Sequence, residues 1–204
     1  MNQQLIISLG REFGSAGHEI AERLAKLYAL PLYDHNLLDE LAAERNMDFQ
    51  VLKEFDEVKR NKLLTRTVNG MSSCPAQNVA SMQFDFLKKK AAAGESFVAV
   101  GRCSEMVLRE YDCMVSIFIL GDMDKKIQRV QKLYNKSARE AERFIRMKDR
   151  KRKQYHNSHC DGKWGDSRNY DISVNSSILG IDETIRILSE FINAKMKQMD
   201  RKTE

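Results

Sequence analysis

Three groups of residues have types and spacings that suit chemistry. The first is the segment Gly10-Arg11-Glu12-Phe13-Gly14-Ser15-Ala16-Gly17-His18. Glycines at 10, 14 and 17 permit backbone angles that other residues resist, so the amides of 14–18 can converge on an anion. The helical pattern that follows adds its positive N-terminus to the same place. Phosphate is the ligand such a loop suits, and a plain strand-to-helix turn is the alternative reading. The lettering is not GxxxxGK[ST]. Five positions before Gly17 stands Glu12, the lysine position holds His18, and Glu19 and Ile20 follow where a magnesium-binding hydroxyl would stand, with Ser15 nearby. Arg11, or a protonated His18, is the candidate for the missing positive charge.

The second group centres on Arg102, which follows an apolar run and Gly101. A guanidinium held there offers a planar fork to phosphate or carboxylate. Glu105, one helical turn on, could accept from Arg102 or hold a metal-bound water; Glu12 is the other candidate carboxylate on the metal side. The third group is Arg146, Asp149, Arg150 and Arg152-Lys153. Asp149 and Arg152 are three apart and share a helical face. An acid able to accept from an exocyclic amine or a ribose hydroxyl, beside a base able to grip phosphate, is nucleotide chemistry; a solvated charged helix is the alternative.

The elements that must position these groups alternate between strand and helix. Leu5–Leu9 reads as a fully buried strand ending at Gly10. A helix follows from Gly17, with Ile20, Leu24 and Leu27 on one face and Glu22, Arg23 and Lys26 facing water. Pro31–Tyr33 is a short second strand and Asn36–Arg45 a second helix. Residues 48–93 read as helical with a break at Asn69–Pro75. Ser96–Val100 and Met114–Leu120 are buried strands, and two basic helices cover 123–134 and 137–155, the second opened by Ser137 and Glu140 at capping-box spacing. A polar loop over 156–169 carries Trp164, Asp171–Val174 is the last strand, and 180–200 forms the last helix. This pattern implies an α/β fold, a mostly parallel sheet covered on both faces. Ligands of such sheets bind at the C-terminal ends of the strands, which singles out Gly10–Gly17, Gly101–Glu105 and Gly121-Asp122.

Composition narrows the partners. With 204 residues, one α/β domain with a small mobile part is the economical arrangement. The formal charge of +5 fits an anionic small molecule and does not demand nucleic acid, since Glu140, Glu142 and Asp149 interrupt the basic helix. No apolar stretch approaches the roughly 18 residues of a membrane span, and the N-terminal run has no signal-peptide pattern. The four cysteines, Cys74, Cys103, Cys113 and Cys160, lack metal-site spacing and read as incidental thiols of a reducing, cytoplasmic protein. Oligomeric state is not legible.

Several stretches resemble one family. IISLGREFGSAGHEIAERLAKLYALPLYDHNLLDELA, FVAVGRCSEMVL and KWGDSRNYDISVNSSILGIDETIRIL are similar, in order and spacing, to cytidylate-kinase-like proteins, a divergent branch near bacterial CMP kinase. The resemblance covers nearly the whole chain and is weakest at about 50–75. It implies a three-layer P-loop NTPase-type fold with a five-stranded, mostly parallel sheet. It divides the one domain into a core (1–33, 95–122, 169–204), a helical NMP-binding region (34–94) and a helical lid (123–168). It implies transfer of the γ-phosphoryl of ATP, with Mg2+, to CMP or dCMP. A catalytically weak or inactive nucleotide-binding or sensing protein is the alternative.

Carried over residue by residue, Arg102 falls on the family's Gly-Arg motif, where the arginine grips the monophosphate. Asp149 and Arg152 fall on its R-x3-D-x2-R segment, which holds cytosine and phosphate. The first arginine of that segment falls on Ile145, one place from Arg146, which is the candidate substitute. Tyr33-Asp34 falls at the entrance to the NMP-binding region, and Arg129 where lid arginines approach the donor. The expected assignment is therefore Arg11, Arg102 and Arg129 as catalytic cations. Gly10, Gly14, Ser15, Ala16, Gly17 and His18 face the donor phosphates, and Asp34, Arg102, Arg146, Asp149 and Arg152 the acceptor. The Walker lysine is absent, and Val100 and Cys103 replace the acids flanking Gly-Arg.

Overall fold

A computed structural model describes residues 3–34, 36–45, 48–56, 67–68, 71–72 and 74–203. Five strands, β1 (Ile6–Arg11), β2 (Leu32–Tyr33), β5 (Phe97–Val100), β6 (Met114–Leu120) and β7 (Ile172–Asn175), form one sheet in the order β2-β5-β1-β6-β7. All four pairings are parallel. β5 and β6 lie on opposite sides of β1, so the strand order reverses at β1 and leaves a crevice at its carboxyl end. A further pair, β3 (Thr67–Val68) and β4 (Met71–Ser72), is antiparallel; β4 falls inside the expected helix break, but β3 is a strand where helix was expected. Asn69, where that break was to begin, is outside the described residues.

Strand alternation divides the core between the two faces of the sheet. Ile7, Leu9, Val98, Val100, Ile117 and Ile119 pack against α1 (Gly17–Leu27) and α8 (Ser176–Thr203) through Ile20, Leu24, Leu188 and Ile192. Ile6, Phe97, Ala99 and Met114 meet α2 (Leu37–Arg45), α3 (Phe49–Glu54) and α4 (Pro75–Ala92) through Leu37, Leu41, Leu52 and Leu87. The result is the expected three-layer α/β arrangement. α8 is broken at Gly180, whose left-handed φ of 76° interrupts the helix after its first turn.

Between β6 and β7 lie α6 (Met123–Tyr134) and α7 (Ala138–His159). They share a small apolar core of Val130, Ala141 and Ile145, which also takes in Phe13 from the loop after β1. The capping box at Ser137 and Glu140 is formed at the start of α7. The helix runs one turn beyond the expected end at 155, so His156 and His159 stand in its last turn and Cys160 caps it. Among the described residues, no helix is long and apolar enough to cross a membrane.

Candidate functional site

The loop after β1 is built by close approach as much as by unusual backbone angles. Gly14 has φ +84° and Ala16 is left-handed at φ 62°, but neither Gly10 nor Gly17 has a positive φ. Glycine is required at those two positions for space. A Cβ on Gly10 would lie 2.8 Å from Phe118 Cδ2, and one on Gly17 2.4 Å from Arg11 Cβ. The expectation that all three glycines serve special angles is thus corrected: Gly10 and Arg11 belong to β1, paired with Phe118 and Ile119.

Arg11 is buried, and its side chain passes over Gly17 and Gly101 towards Asp34, with Nη2 3.4 Å from Asp34 Oδ1. Its Nε has no hydrogen-bond partner. His18 Nδ1 lies 2.7 Å from Asp34 Oδ2, and the ring also approaches Glu22. Asp34 therefore stands between Arg11 and His18. Arg129 pairs with Glu19 at the start of α1.

The carboxylate of Glu12 is tied to the start of α6, accepting from Lys126 Nζ at 2.8 Å and from the Gly121 amide at 3.2 Å. Ser15 Oγ is buried against the carbonyls of Glu12 (2.9 Å) and Ile119 (3.2 Å). Asp149 accepts from the Phe13 amide at 2.6 Å and lies 3.5 Å from Lys126. Burial raises its pKa, against the opposing pull of the Phe13 amide and Lys126. Lys126, only 3% exposed, thus clasps the loop carboxylate and the α7 carboxylate together. The sequence reading missed it, because nothing in Met123–Tyr134 separates Lys126 from Lys125 except its position on the buried face of the helix.

Arg102 sits in a run of three left-handed residues, Gly101 (φ 74°), Arg102 (φ 56°) and Cys103 (φ 55°). Such angles cost non-glycine residues roughly 1–2 kcal/mol each, a strain that tends to persist at functional sites. The guanidinium forms a two-pronged pair with Asp56, with Nη2 2.9 Å from Oδ2. Gln83 donates to the same carboxylate at 3.1 Å and accepts from Tyr155. Glu105 is bound to His156 Nε2 at 2.5 Å, both groups being buried. Burial pulls the imidazole pKa down, but the Glu105 bond and charge outweigh it and leave it raised.

Two cavities flank the loop. One is lined by Gly14, Ala16, His18, Arg129, Tyr134 and other residues of the loop and of α6. The other, of only about 20 Å³ as the Arg102–Asp56 pair stands, is lined by Gly101, Arg102, Glu105, Trp164 and Tyr170 among others. Arg11 and Arg152 line both. Arg152 donates to the Arg11 carbonyl at 3.2 Å and stacks its guanidinium over Phe13 at 5.5 Å. The structure therefore gathers Arg11, Arg102 and Arg152 around one junction, with Asp34, His18 and Arg129 on the loop side. Arg146 is not brought in. It lies on the solvent face of α7, paired with Glu142 at 2.8 Å, because Ile145 takes the inward position. Asp149 reaches the loop's Phe13 amide and lines neither cavity.

The family model described as "Cytidylate kinase-like family" matches residues 6–178. A crystal structure of an uncharacterized protein from Eubacterium ventriosum is 37% identical, with a TM-score of 0.75 over 93% of this chain and 99% of that one. A shikimate kinase from Bacteroides thetaiotaomicron (13% identity, TM-score 0.54, 93% and 98% covered) shares the fold. So does a gluconokinase from Sinorhizobium meliloti (9%, 0.56, 98% of both chains). No curated protein matches the chain.

Proposed function

The chain belongs to the cytidylate kinase-like family, and from that premise we propose that it transfers a phosphoryl group from ATP to a nucleoside monophosphate of the CMP or dCMP kind. One observation carries the reading: the cavity at the phosphate loop and the cavity at Arg102 are separate, yet share Arg11 and Arg152. Phosphoryl transfer needs donor and acceptor oxygens in line with positive charge between them, and little else from the protein. In this reading the amides of 14–18, His18 and Arg129 hold the donor phosphates, and Arg102 holds the acceptor phosphate after Asp56 releases it. Arg152 and Arg11 neutralise the charge in transit. Asp34 orients Arg11 and His18, and Asp149 fixes the loop through the Phe13 amide. The region 34–94 would carry the acceptor side, and 123–168 would close over both nucleotides and exclude water.

Magnesium does not find a dedicated protein site among the described residues. Glu12 is committed to Lys126, Glu105 to His156, and the Ser15 hydroxyl to two carbonyls. Magnesium commonly keeps its waters and binds through substrate phosphates, so in this reading it enters as part of the nucleotide and no step depends on a protein ligand for it.

A second reading is a nucleotide-binding protein without efficient transfer. It is favoured by the paired state of Glu12 and Lys126, which leaves that lysine clasped between two carboxylates rather than offered to a phosphate. A coupled assay with ATP, magnesium and a panel of monophosphates separates the two. Turnover on a pyrimidine monophosphate, lost on Arg102→Ala, is the expected result; tight nucleotide binding with no turnover on any acceptor would overturn the kinase reading.

A further inference from the structure

Three residues unused by the proposed reaction converge beside the Arg102 turn. Cys103, His156 and Cys160 each present a ligand atom, and these atoms lie within 4.8 Å of one another. Cys103 is the last residue of the left-handed run and caps the short helix α5 (Ser104–Val107). His156 and Cys160 are one turn apart at the end of α7, so they share a face. Cys103 and His156 are buried, and Cys160 is half-buried.

We propose that Cys103, His156 and Cys160 bind a zinc ion that fastens the end of α7 to the Gly101–Cys103 turn. The donor set argues for the metal. Two sulfurs and an imidazole suit zinc or a similarly soft ion, whereas magnesium and calcium take oxygen. Zinc bond lengths of 2.0–2.3 Å in a tetrahedron place donors about 3.5–3.8 Å apart, so closing the site from 4.8 Å asks for about 1 Å of movement. Binding releases the two thiol protons to solvent, together with the Nδ1 proton of the imidazole where the ring is charged. Two thiolates then balance the dication, and the Glu105 carboxylate stays on Nε2–H outside the ligand set.

The surroundings favour the same assignment. Glu105 on His156 Nε2 is the outer carboxylate that commonly orients a ligating imidazole. With Nε2 held by Glu105, Nδ1 would have to give up its 3.3 Å contact with Asn157 Oδ1 to take the metal. Three protein donors leave a fourth position for water. Cys103, Glu105 and His156 all line the Arg102 cavity, so occupancy of the site bears directly on the turn that holds Arg102.

The test uses the full chain, reduced and stripped of metal, titrated with Zn2+ against a chromophoric chelator. The expected result is one zinc per chain, and a Co2+-loaded sample with thiolate-to-metal charge-transfer absorption. Cys160→Ser should weaken affinity more than tenfold, and Glu105→Gln by about 10–100-fold. Cys74→Ser and Cys113→Ser should leave it unchanged. Peptide mapping after brief alkylation needs no variant and covers the case in which Cys103→Ser fails to fold: zinc should protect the half-buried Cys160 and leave the reactivity of Cys74 and Cys113 unchanged. The proposal is overturned if the reduced chain takes up no stoichiometric zinc, or if other cysteines are the protected ones. Ready formation of a Cys103–Cys160 disulfide in a chain that binds no zinc when reduced would also overturn it, and would mark a redox pair instead.

Discussion

Arg102 and Asp56 grip each other through both prongs of guanidinium and carboxylate, with the arginine side chain 2% and the aspartate 16% exposed. The cation proposed to take the acceptor phosphate is thus held by an internal anion from the helical region that would carry the acceptor. Asp56→Asn strips a buried charge of its partner, a change that costs about 3–5 kcal/mol when nothing replaces the partner. We expect a loss of stability of that order in chemical denaturation without ligand. A monophosphate should then stabilise the variant more than the wild type, because the Asp56 charge no longer competes with it. Equal ligand-induced shifts in both proteins would contradict the assignment of Arg102 to the acceptor phosphate.

The junction makes a kinetic prediction. Arg152 lines both cavities, whereas Arg146 lies on the solvent-facing side of α7 and lines neither. Removing a group that stabilises transition-state charge typically costs about 10²–10³ in kcat. Arg152→Ala should lose that much with the fold intact by circular dichroism, while Arg146→Ala should keep kcat and KM. Steady-state rates of the two variants, measured side by side, decide the matter. A larger loss in Arg146→Ala would restore the assignment made from spacing alone.

Much of this arrangement was legible in the sequence, and the limits have physical causes. Leu5–Leu9, Gly10–Gly17 and the helical face of Ile20 and Leu24 show as a strand, a turn and an amphipathic period, which are local properties. So does Gly101-Arg102 after an apolar strand. Arg146 was misplaced because one step along a helix turns a side chain by about 100°, and Ile145 holds the inward position. Lys126, Asp56 and Tyr170 were missed because their importance comes from partners distant in the chain: Lys126 from Glu12 and Asp149, Asp56 from Arg102, and Tyr170 from Gly10, over which its hydroxyl lies. Cys103 and Cys160 looked incidental for the same reason.

Gly17 offers a steric test. Its Cβ, if present, would fall 2.4 Å from Arg11 Cβ and 2.9 Å from Arg11 Cγ, near the root of a buried side chain that cannot swing aside. Overpacking of this kind costs about 1–3 kcal/mol. Gly17→Ala should lower the urea midpoint accordingly and displace Arg11 from Asp34. At Gly94 an added Cβ meets nothing within 4 Å, but φ is +76°, so Gly94→Ala tests backbone strain without a clash. The variant at 17 should weaken nucleotide binding and the variant at 94 should not. Loss of binding in both would point to global instability rather than to the loop.

Asp171 sets a pH dependence remote from the site. Burial pushes its pKa up, but bonds from Lys195 Nζ (2.7 Å), the Ser116 amide (2.8 Å) and the Ser116 hydroxyl (3.0 Å) outweigh that and leave it lowered. A carboxylate with a depressed folded-state pKa contributes stability that is full above its unfolded value, near 3.8. That contribution is lost as pH falls through the folded value. The wild type should lose stability below about pH 4, and Asp171→Asn should be less stable at neutral pH but flatter across the acid range. Denaturation midpoints collected from pH 3 to pH 7 check this; parallel profiles for the two proteins would sink it.

Trp164 should report on the side proposed for the acceptor. Its ring meets Phe118 edge-on at 5.4 Å, its amide donates to Asn157 at 2.9 Å, and it lines the cavity with Arg102 and Arg152. It does not line the cavity at the phosphate loop. An indole so placed should respond to the polarity and packing changes that a monophosphate brings, and respond less to ATP alone. Phe118 also pairs with Gly10 across β1 and β6, so the same contact couples the indole to the base of the loop. Because Trp164 is the chain's single tryptophan, its emission can be assigned without substitution. Titration with a pyrimidine monophosphate should change intensity or wavelength to saturation, and Arg102→Ala should shift that titration to higher concentration. If ATP alone moved the signal and monophosphates did not, the two cavities would have to exchange roles.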